Sequence, residues 1–223
     1  MIRVVETFIK DPLANEFLVI NNDIAVVVDP CSEPVAIEKR LKGAKLQAVL
    51  LTHGHRDHWE TLDKVVEYFK VPCYLAKSAK EKLGNDKLSL SYYFEDSDYW
   101  TSKLAEKELI YLADKQKIAF DDTEIIAMHL PGHTDCSFGF LLSGMLFCGD
   151  ALFEDSIGRV DTPTGSPGEY LETLERLKGM DESIVCYSGH GASFTIANFH
   201  KNYRVYQRYL AMLKNRALCD FNK

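Results

Sequence analysis

The sequence lacks the features of a secreted or membrane-spanning chain. No stretch approaches the roughly 18 consecutive apolar residues of a membrane span. The apolar run within residues 1–10 is too short and too interrupted by charges for a signal peptide. The six cysteines are widely scattered and form no C-x-x-C pair, which argues against zinc fingers and disulfides. We therefore expect a cytoplasmic protein with free thiols and no membrane partner.

The chain also lacks any run of basic residues. Its 26 Lys and Arg are outnumbered by 33 Asp and Glu, for a formal net charge of −7. Nucleic acids and anionic membranes favour clustered positive charge, so neither is expected as a partner. Apolar residues make up 46% of the 223 positions, enough for a sizeable core. We predict a single domain over residues 1–223, acting on a small molecule as a monomer or homodimer.

Short apolar strands and amphipathic helices alternate along the chain. In the first half we predict strands at 16–20, 24–29, 46–52 and 71–75, and helices at 34–41 (closed by Gly43) and 62–69. In the second half we predict strands at 117–120, 123–129, 137–142, 145–148 and 184–187, and helices at 169–178 and 199–218. Residues 77–117 are expected to be the least regular part of the chain, made of helical pieces and loops. Each half runs from strands to a helix, which predicts an α/β fold of two similar halves packed sheet on sheet.

Metal-binding residue types are most concentrated after the predicted strand 46–52, in Thr52-His-Gly-His-Arg-Asp-His58. His53 and His55 alternate, so their side chains point the same way from an extended backbone. Asp57 and His58 follow at once. Imidazoles and carboxylates bind zinc, iron and manganese. Four potential ligands within six residues can serve two adjacent ions, whereas one tetrahedral site would not need them all.

Three further ligand-type residues follow apolar strands later in the chain. His133, Asp150 and His190 each come directly after a glycine near a strand end. Loops at strand ends are where α/β folds assemble their sites. With the first motif, these residues make a set of seven and predict a centre with two metal ions. Asp29, at another strand end, is a candidate hydrogen-bond partner for a ligand histidine.

The pattern H-x-H-x-D-H, followed by separated His, Asp and His, resembles the metallo-β-lactamase superfamily. The resemblance covers essentially the whole chain and implies a four-layer αββα sandwich with the metal site at one edge of the sheets. It implies a first metal bound by His53, His55 and His133, a second bound by Asp57, His58 and His190, and Asp150 bridging the two.

Within the superfamily, the stretches Gly149-Asp-Ala-Leu-Phe-Glu-Asp-Ser-Ile-Gly-Arg-Val-Asp161 and Gly189-His-Gly-Ala-Ser-Phe-Thr-Ile196 resemble short glyoxalase II-like (hydroxyacylglutathione hydrolase-like) proteins. The resemblance implies a hydrolase with two divalent ions, zinc in the first instance and iron or manganese otherwise. A bridging hydroxide would cleave a thioester such as S-lactoylglutathione or a related acyl-thiol. Asp57 would orient this nucleophile as the catalytic residue, and Arg159 would bind a substrate carboxylate.

The sequence is also compatible with other activities of the same superfamily. A persulfide dioxygenase would use one iron, held by His53, His133 and Asp150. An RNA-processing nuclease is disfavoured by the acidic balance, and antibiotic-cleaving lactamases commonly have Cys in place of Asp150. Cys136 either lines the pocket or packs in the core, and we expect packing.

Overall fold

The protein, described here by a computed structural model, forms two six-stranded sheets from residues 2–7, 13–93, 101–104 and 108–220 (side chains to residue 215). The first sheet is ordered β1 to β6 along the chain. Strands β1 to β3 pair antiparallel, and β3 to β6 pair parallel. Its strands are β1 (Ile2–Thr7), β2 (Glu16–Asn21), β3 (Ile24–Val28), β4 (Lys45–Leu50), β5 (Cys73–Leu75) and β6 (Leu109–Tyr111).

The second sheet has the order β12-β11-β10-β9-β8-β7. Its pairs are antiparallel except for β10 with β11. Because β10 and β11 run parallel, their carboxyl ends lie at the same edge of the sheet. Its strands are β7 (Lys117–Phe120), β8 (Thr123–His129), β9 (Phe138–Leu142), β10 (Met145–Gly149), β11 (Val185–Ser188) and β12 (Phe194–Thr195).

Helices cover the outer face of each sheet. Helices α1 (Pro34–Leu41) and α2 (Leu62–Phe69) pack on the first sheet, whereas α4 (Pro167–Lys178) and α5 (Ile196–Asp220) pack on each other and on the second. A short α3 (Ala79–Leu83) follows β5. Helix α4 begins where Ser166 accepts a hydrogen bond from the Glu169 N–H, with proline at the next position. Among the described residues, no helix combines the length and apolarity needed to cross a membrane.

The main core lies between the two sheets. It joins apolar side chains of β2, β3 and β4 to those of β8, β9 and β10, with Phe17 and Phe147 in ring contact at 5.5 Å. Every residue of β2 is buried, which explains why its sequence is nearly continuously apolar. A second core lies between the second sheet and α4 with α5. The order of layers is helix, sheet, sheet, helix, which confirms the predicted αββα sandwich.

Most of the predicted elements are present, with corrections at their ends and in the connections. Strands β1, β6 and β12 were not predicted. Helix α5 begins at Ile196 rather than at residue 199, and α4 begins at Pro167 rather than at 169. Helix α1 ends where Lys42 takes the left-handed conformation at φ +52°, and the following Gly43, predicted to close the helix, also has a positive φ of +96°.

Candidate metal centre

The candidate ligands lie on four loops that meet at one edge of the two sheets. The loops follow β4, β8, β10 and β11, and bring together residues up to 137 positions apart (His53 to His190). Three overlapping triads place their ligand atoms within 4.8 Å of one another. The triads are His53, His55 and His133; His53, His58 and Asp150; and Asp57, His58 and His190.

One set consists of three buried imidazoles. His53 Nε2 lies 3.1 Å from His55 Nδ1, and His133 Nε2 lies 3.0 Å from the same Nδ1. Burial and, to a lesser extent, the neighbouring His133 lower the pKa of His55 to about 3. Burial likewise lowers the pKa values of His53 and His133. These rings are neutral near pH 7, the form in which imidazole binds a metal.

The second set pairs two imidazoles with a carboxylate. His190 Nε2 lies 3.1 Å from Asp57 Oδ2, and His58 Nε2 lies 3.8 Å from the same oxygen. Burial opposes protonation of His58, but the carboxylates of Asp150 and Asp29 outweigh it and raise the His58 pKa well above its ordinary range. Excess negative charge surrounds this imidazole, so this side of the cluster attracts a cation.

Asp150 lies between the two sets. Its Oδ1 is 3.2 Å from His58 Nε2, whereas its Oδ2 is 3.6 Å from His133 Nε2 and 3.9 Å from His190 Nε2. Burial would raise the pKa of Asp150, but the imidazoles of His58 and His133 outweigh it and hold this pKa below its usual range. One ionised carboxylate therefore faces ligand atoms of both sets.

Unpaired buried atoms show that this donor set fits metal ions. His55 Nε2, His58 Nε2 and Asp150 Oδ1 are buried without a hydrogen bond of normal geometry, although the last two approach each other. Orphaned polar atoms in a protein interior cost about 1–3 kcal/mol each, so a cluster of them calls for a partner. Borderline cations such as Zn²⁺ or Fe²⁺ accept imidazole nitrogen and carboxylate oxygen together.

A carboxylate behind the site orients His58. The pair of His58 Nδ1 and Asp29 Oδ2 is 2.7 Å apart, which confirms the partner role predicted for Asp29 and turns Nε2 towards the cluster. Thr52 donates to both oxygens of Asp29, from its N–H at 2.8 Å and from its hydroxyl at 2.7 Å. Asp29 has φ +51°, a conformation that aspartate tolerates better than most residues. Thr52 was not predicted, because its contact spans 23 residues.

Arg159 supports His133 through its backbone. The Arg159 carbonyl lies 2.8 Å from His133 Nδ1, so Nε2 of this ring faces the cluster. The Arg159 side chain is 59% exposed and donates from Nε and Nη2 to Asp161 at 2.6 and 2.9 Å. The guanidinium predicted to bind substrate is thus at the surface beside the centre and is paired within its own loop.

Two further side chains, Tyr170 and Lys82, contact the loops that carry the candidate ligands. The Tyr170 hydroxyl of α4 donates to the Ala151 carbonyl at 2.7 Å and accepts from the Gly158 N–H at 2.9 Å. Lys82 is buried, and its Nζ lies 2.5 Å from Asp135 Oδ1. Neither role has a local sequence signal, because each contact joins distant segments. Cys136, in contrast, is fully buried in the core between the sheets, in line with the packing expected of it.

The sequence is similar to a known protein family and to individual proteins of several bacteria. Residues 12–190 match the family model described as "Metallo-beta-lactamase superfamily". The chain is 29% identical over 183 residues to the probable metallo-hydrolase YqgX of Bacillus subtilis, covering 80% of this chain and 85% of that protein. It is 27% identical over 187 residues to the hydroxyacylglutathione hydrolase of Francisella philomiragia, covering 82% of this chain and 65% of that protein.

Solved structures show the same likeness. The B3 metallo-beta-lactamase BLEG-1 superposes with a TM-score of 0.78 at 27% identity, covering 90% of this chain and 97% of that one. TTHA1623, solved in a di-iron-bound form, gives 0.77 at 25% identity, covering 89% and 98%. The family match spans the chain from before β2 to His190 and includes all four loops of the site. By its fold and by this match, the chain belongs to the metallo-beta-lactamase superfamily, whose members are generally metal-dependent hydrolases.

Proposed function

We propose that this protein is a dinuclear metal-dependent thioesterase that hydrolyses a small acyl-thiol of the S-lactoylglutathione type. One observation is central: seven imidazole and carboxylate side chains converge as two ligand sets, with Asp150 facing both. In this proposal His53, His55 and His133 would hold one metal, Asp57, His58 and His190 would hold the second, and Asp150 would be shared between them. Zinc suits this donor set, and so does iron.

Two divalent cations so held would supply a hydroxide nucleophile at neutral pH and a Lewis acid for the substrate carbonyl. The chain's part is to fix the direction of attack. Asp57 is 21% exposed and His190 is 33% exposed, whereas His58 and His133 are almost inaccessible, so substrate would approach beside Asp57. From there the Asp57 carboxylate would orient the attacking oxygen towards the acyl carbon.

The chemistry of the leaving group favours a thioester. A new C–O bond forms at the acyl carbon, the C–S bond breaks, and the sulfur leaves with the bonding electrons. A thiol has a pKa of about 8.5, so its thiolate leaves without a strong proton donor. Both carboxylates of the cluster serve as metal ligands in this proposal, so neither is available to protonate a leaving group. A thioester suits such a site because its thiolate does not require that proton.

Arg159 is the proposed contact for an acidic group of the substrate. Its guanidinium lies at the surface of the loop that also supports His133. Because two of its five N–H donors bind Asp161, a substrate carboxylate would use the others or displace that exposed partner. The 27% identity to a hydroxyacylglutathione hydrolase supports a substrate of this class.

The test is thiol release from S-lactoylglutathione by protein reconstituted with Zn²⁺ or Fe²⁺. We expect turnover by the wild type and a loss of more than about 100-fold in Asp150→Asn, because loss of outer-shell partners of metal ligands already costs about 10–100-fold. Arg159→Gln should raise KM more than it lowers kcat. Asp155→Asn, which removes an exposed carboxylate from the same loop, is the matched control and should behave as wild type.

Parallel assays distinguish the alternatives. Oxygen uptake on glutathione persulfide by protein with one iron per chain, without thiol release from thioesters, would replace the proposal with the dioxygenase. Cleavage of a β-lactam without thioester hydrolysis would replace it with the activity named for BLEG-1. Cleavage of RNA alone would favour the nuclease.

A further inference from the structure

The segment directly before β2 contacts loops from both halves of the metal centre. The Ala14 N–H donates to the Asp57 carbonyl at 3.0 Å, and the Asn15 N–H donates to the Gly189 carbonyl at 2.6 Å. These two residues therefore connect the first ligand motif to the last one.

The side chain of Asn15 adds a second attachment to the last loop. Its Nδ2 donates to the Ser188 carbonyl at 3.2 Å and to the Gly191 carbonyl at 2.9 Å. Asn15 is buried, and both hydrogens of its amide are used. The two acceptors lie on either side of Gly189 and His190, so one side chain spans the turn that presents His190.

The position of this turn decides where His190 lies. His190 is the most exposed of the histidines in the site, so packing restrains its ring less than the others. The backbone at Gly189 packs directly against the cluster, since a Cβ there would overlap Asp150 Oδ1 and His58 Cε1. A shift of the turn would consequently move His190 relative to Asp57 and Asp150.

We infer that Asn15 is a positioning residue that sets the affinity of the metal position served by His190 without touching the metal. This inference rests on the dinuclear centre of the proposed function. Removing the amide would release the turn and weaken that metal position. The position formed by His53, His55 and His133 would keep its affinity, because those side chains lie on other loops.

The chain provides a matched control at the other end of β2. Asn21 is also buried, and its Nδ2 donates to Asp122 Oδ1 at 2.7 Å, which joins the two sheets away from the centre. Asn21→Ala removes the same kind of buried amide without touching the turn at His190. A purely structural role for Asn15 would make the two substitutions equivalent.

The experiment is a Co²⁺ titration of the metal-free proteins, followed by visible absorbance and calorimetry. We expect two stepwise dissociation constants for the wild type and for Asn21→Ala. In Asn15→Ala one constant should rise by about 10–100-fold and the other should stay unchanged, the pattern also expected of His190→Ala. Asn15→Asp keeps the shape but loses both donors, so its loss should be at least as large. Asn15→Ser retains one donor on a shorter side chain and should show a smaller loss.

Wild-type constants in Asn15→Ala and Asn15→Asp, with circular dichroism showing folded protein, would overturn the inference while leaving the proposed function intact. Equal weakening of both steps would also overturn it, because the effect would then be a general loss of structure. Binding of a single Co²⁺ by the wild type would overturn both the dinuclear centre and this inference.

Discussion

Tyr170→Phe tests whether α4 supports the loop that bears Asp150. The substitution removes one oxygen atom from a fully buried side chain and keeps the ring. That oxygen donates to the Ala151 carbonyl and accepts from the Gly158 N–H. Both backbone groups belong to buried residues of the loop after β10, so water cannot readily replace the hydroxyl.

The expected cost follows from these two contacts. Each hydrogen bond contributes about 1 kcal/mol net, and a buried group left without a partner costs about 1–3 kcal/mol. We expect the free energy of unfolding to fall by about 2–4 kcal/mol. At about 2–4 °C per kcal/mol for a chain of this size, the melting temperature should fall by about 4–16 °C.

Urea denaturation measures this change as a shift in midpoint at constant slope. Tyr68→Phe is the control, because its exposed hydroxyl donates to Glu38 at the surface and its loss should cost less than about 0.5 kcal/mol. The reasoning is refuted if both variants lose the same small amount. The Asp150 loop should also loosen in Tyr170→Phe, which weaker metal retention during dialysis would reveal.

Three other predictions concern packing, pH and metal removal. In Gly189→Ala the new Cβ would overlap Asp150 and His58, so metal retention should fall at least about 10-fold. The control is Gly168→Ala on α4, where a Cβ would make only ordinary contact with the Lys214 side chain, and it should change stability by less than about 1 kcal/mol. Burial would raise the pKa of Asp114, but the His129 N–H and Arg176 outweigh it and hold this pKa below its ordinary value. Ionised Asp114 therefore stabilises the fold at neutral pH, and this stabilisation is lost as the pH falls through the folded-state pKa. When the free energy of unfolding is measured against pH, the acid-dependent loss should be smaller in Asp114→Asn than in the wild type. Chelation should abolish turnover. Relative to protein saturated at a free metal concentration of 1,000 times Kd, the metal-free protein should have a free energy of unfolding lower by about 4 kcal/mol per metal site, which calorimetry with and without metal would measure.

Local patterns in the sequence were enough to locate most of the strands and to select the candidate ligands. Strand β4 ends in the buried apolar run Ala48 to Leu50, and the residues that follow it are chemically distinctive, so both could be recognised without tertiary information. Strand β6 has only three residues and forms by parallel pairing with β5, a contact across more than 30 residues that no local pattern encodes. Strand β1 is only partly buried at a sheet edge, so its apolar alternation is weak.

The residues that position the candidate ligands could not be predicted from the sequence, because their contacts also join distant parts of the chain. Asn15 contacts carbonyls 173 and 176 residues away, and backbone carbonyls have no sequence identity that could mark them as partners. Arg159 was predicted through its guanidinium, whereas its carbonyl is the group that contacts His133. Sequence patterns identify residues with distinctive chemistry, but which atoms meet depends on the folded chain.

Anomalous diffraction from crystals of the metal-loaded protein tests the central claim most directly. We expect two metal peaks per chain, one among His53, His55 and His133 and the other among Asp57, His58 and His190, with Asp150 in contact with both. A single peak held by His53, His133 and Asp150, or metal bound at other residues, would contradict the dinuclear centre.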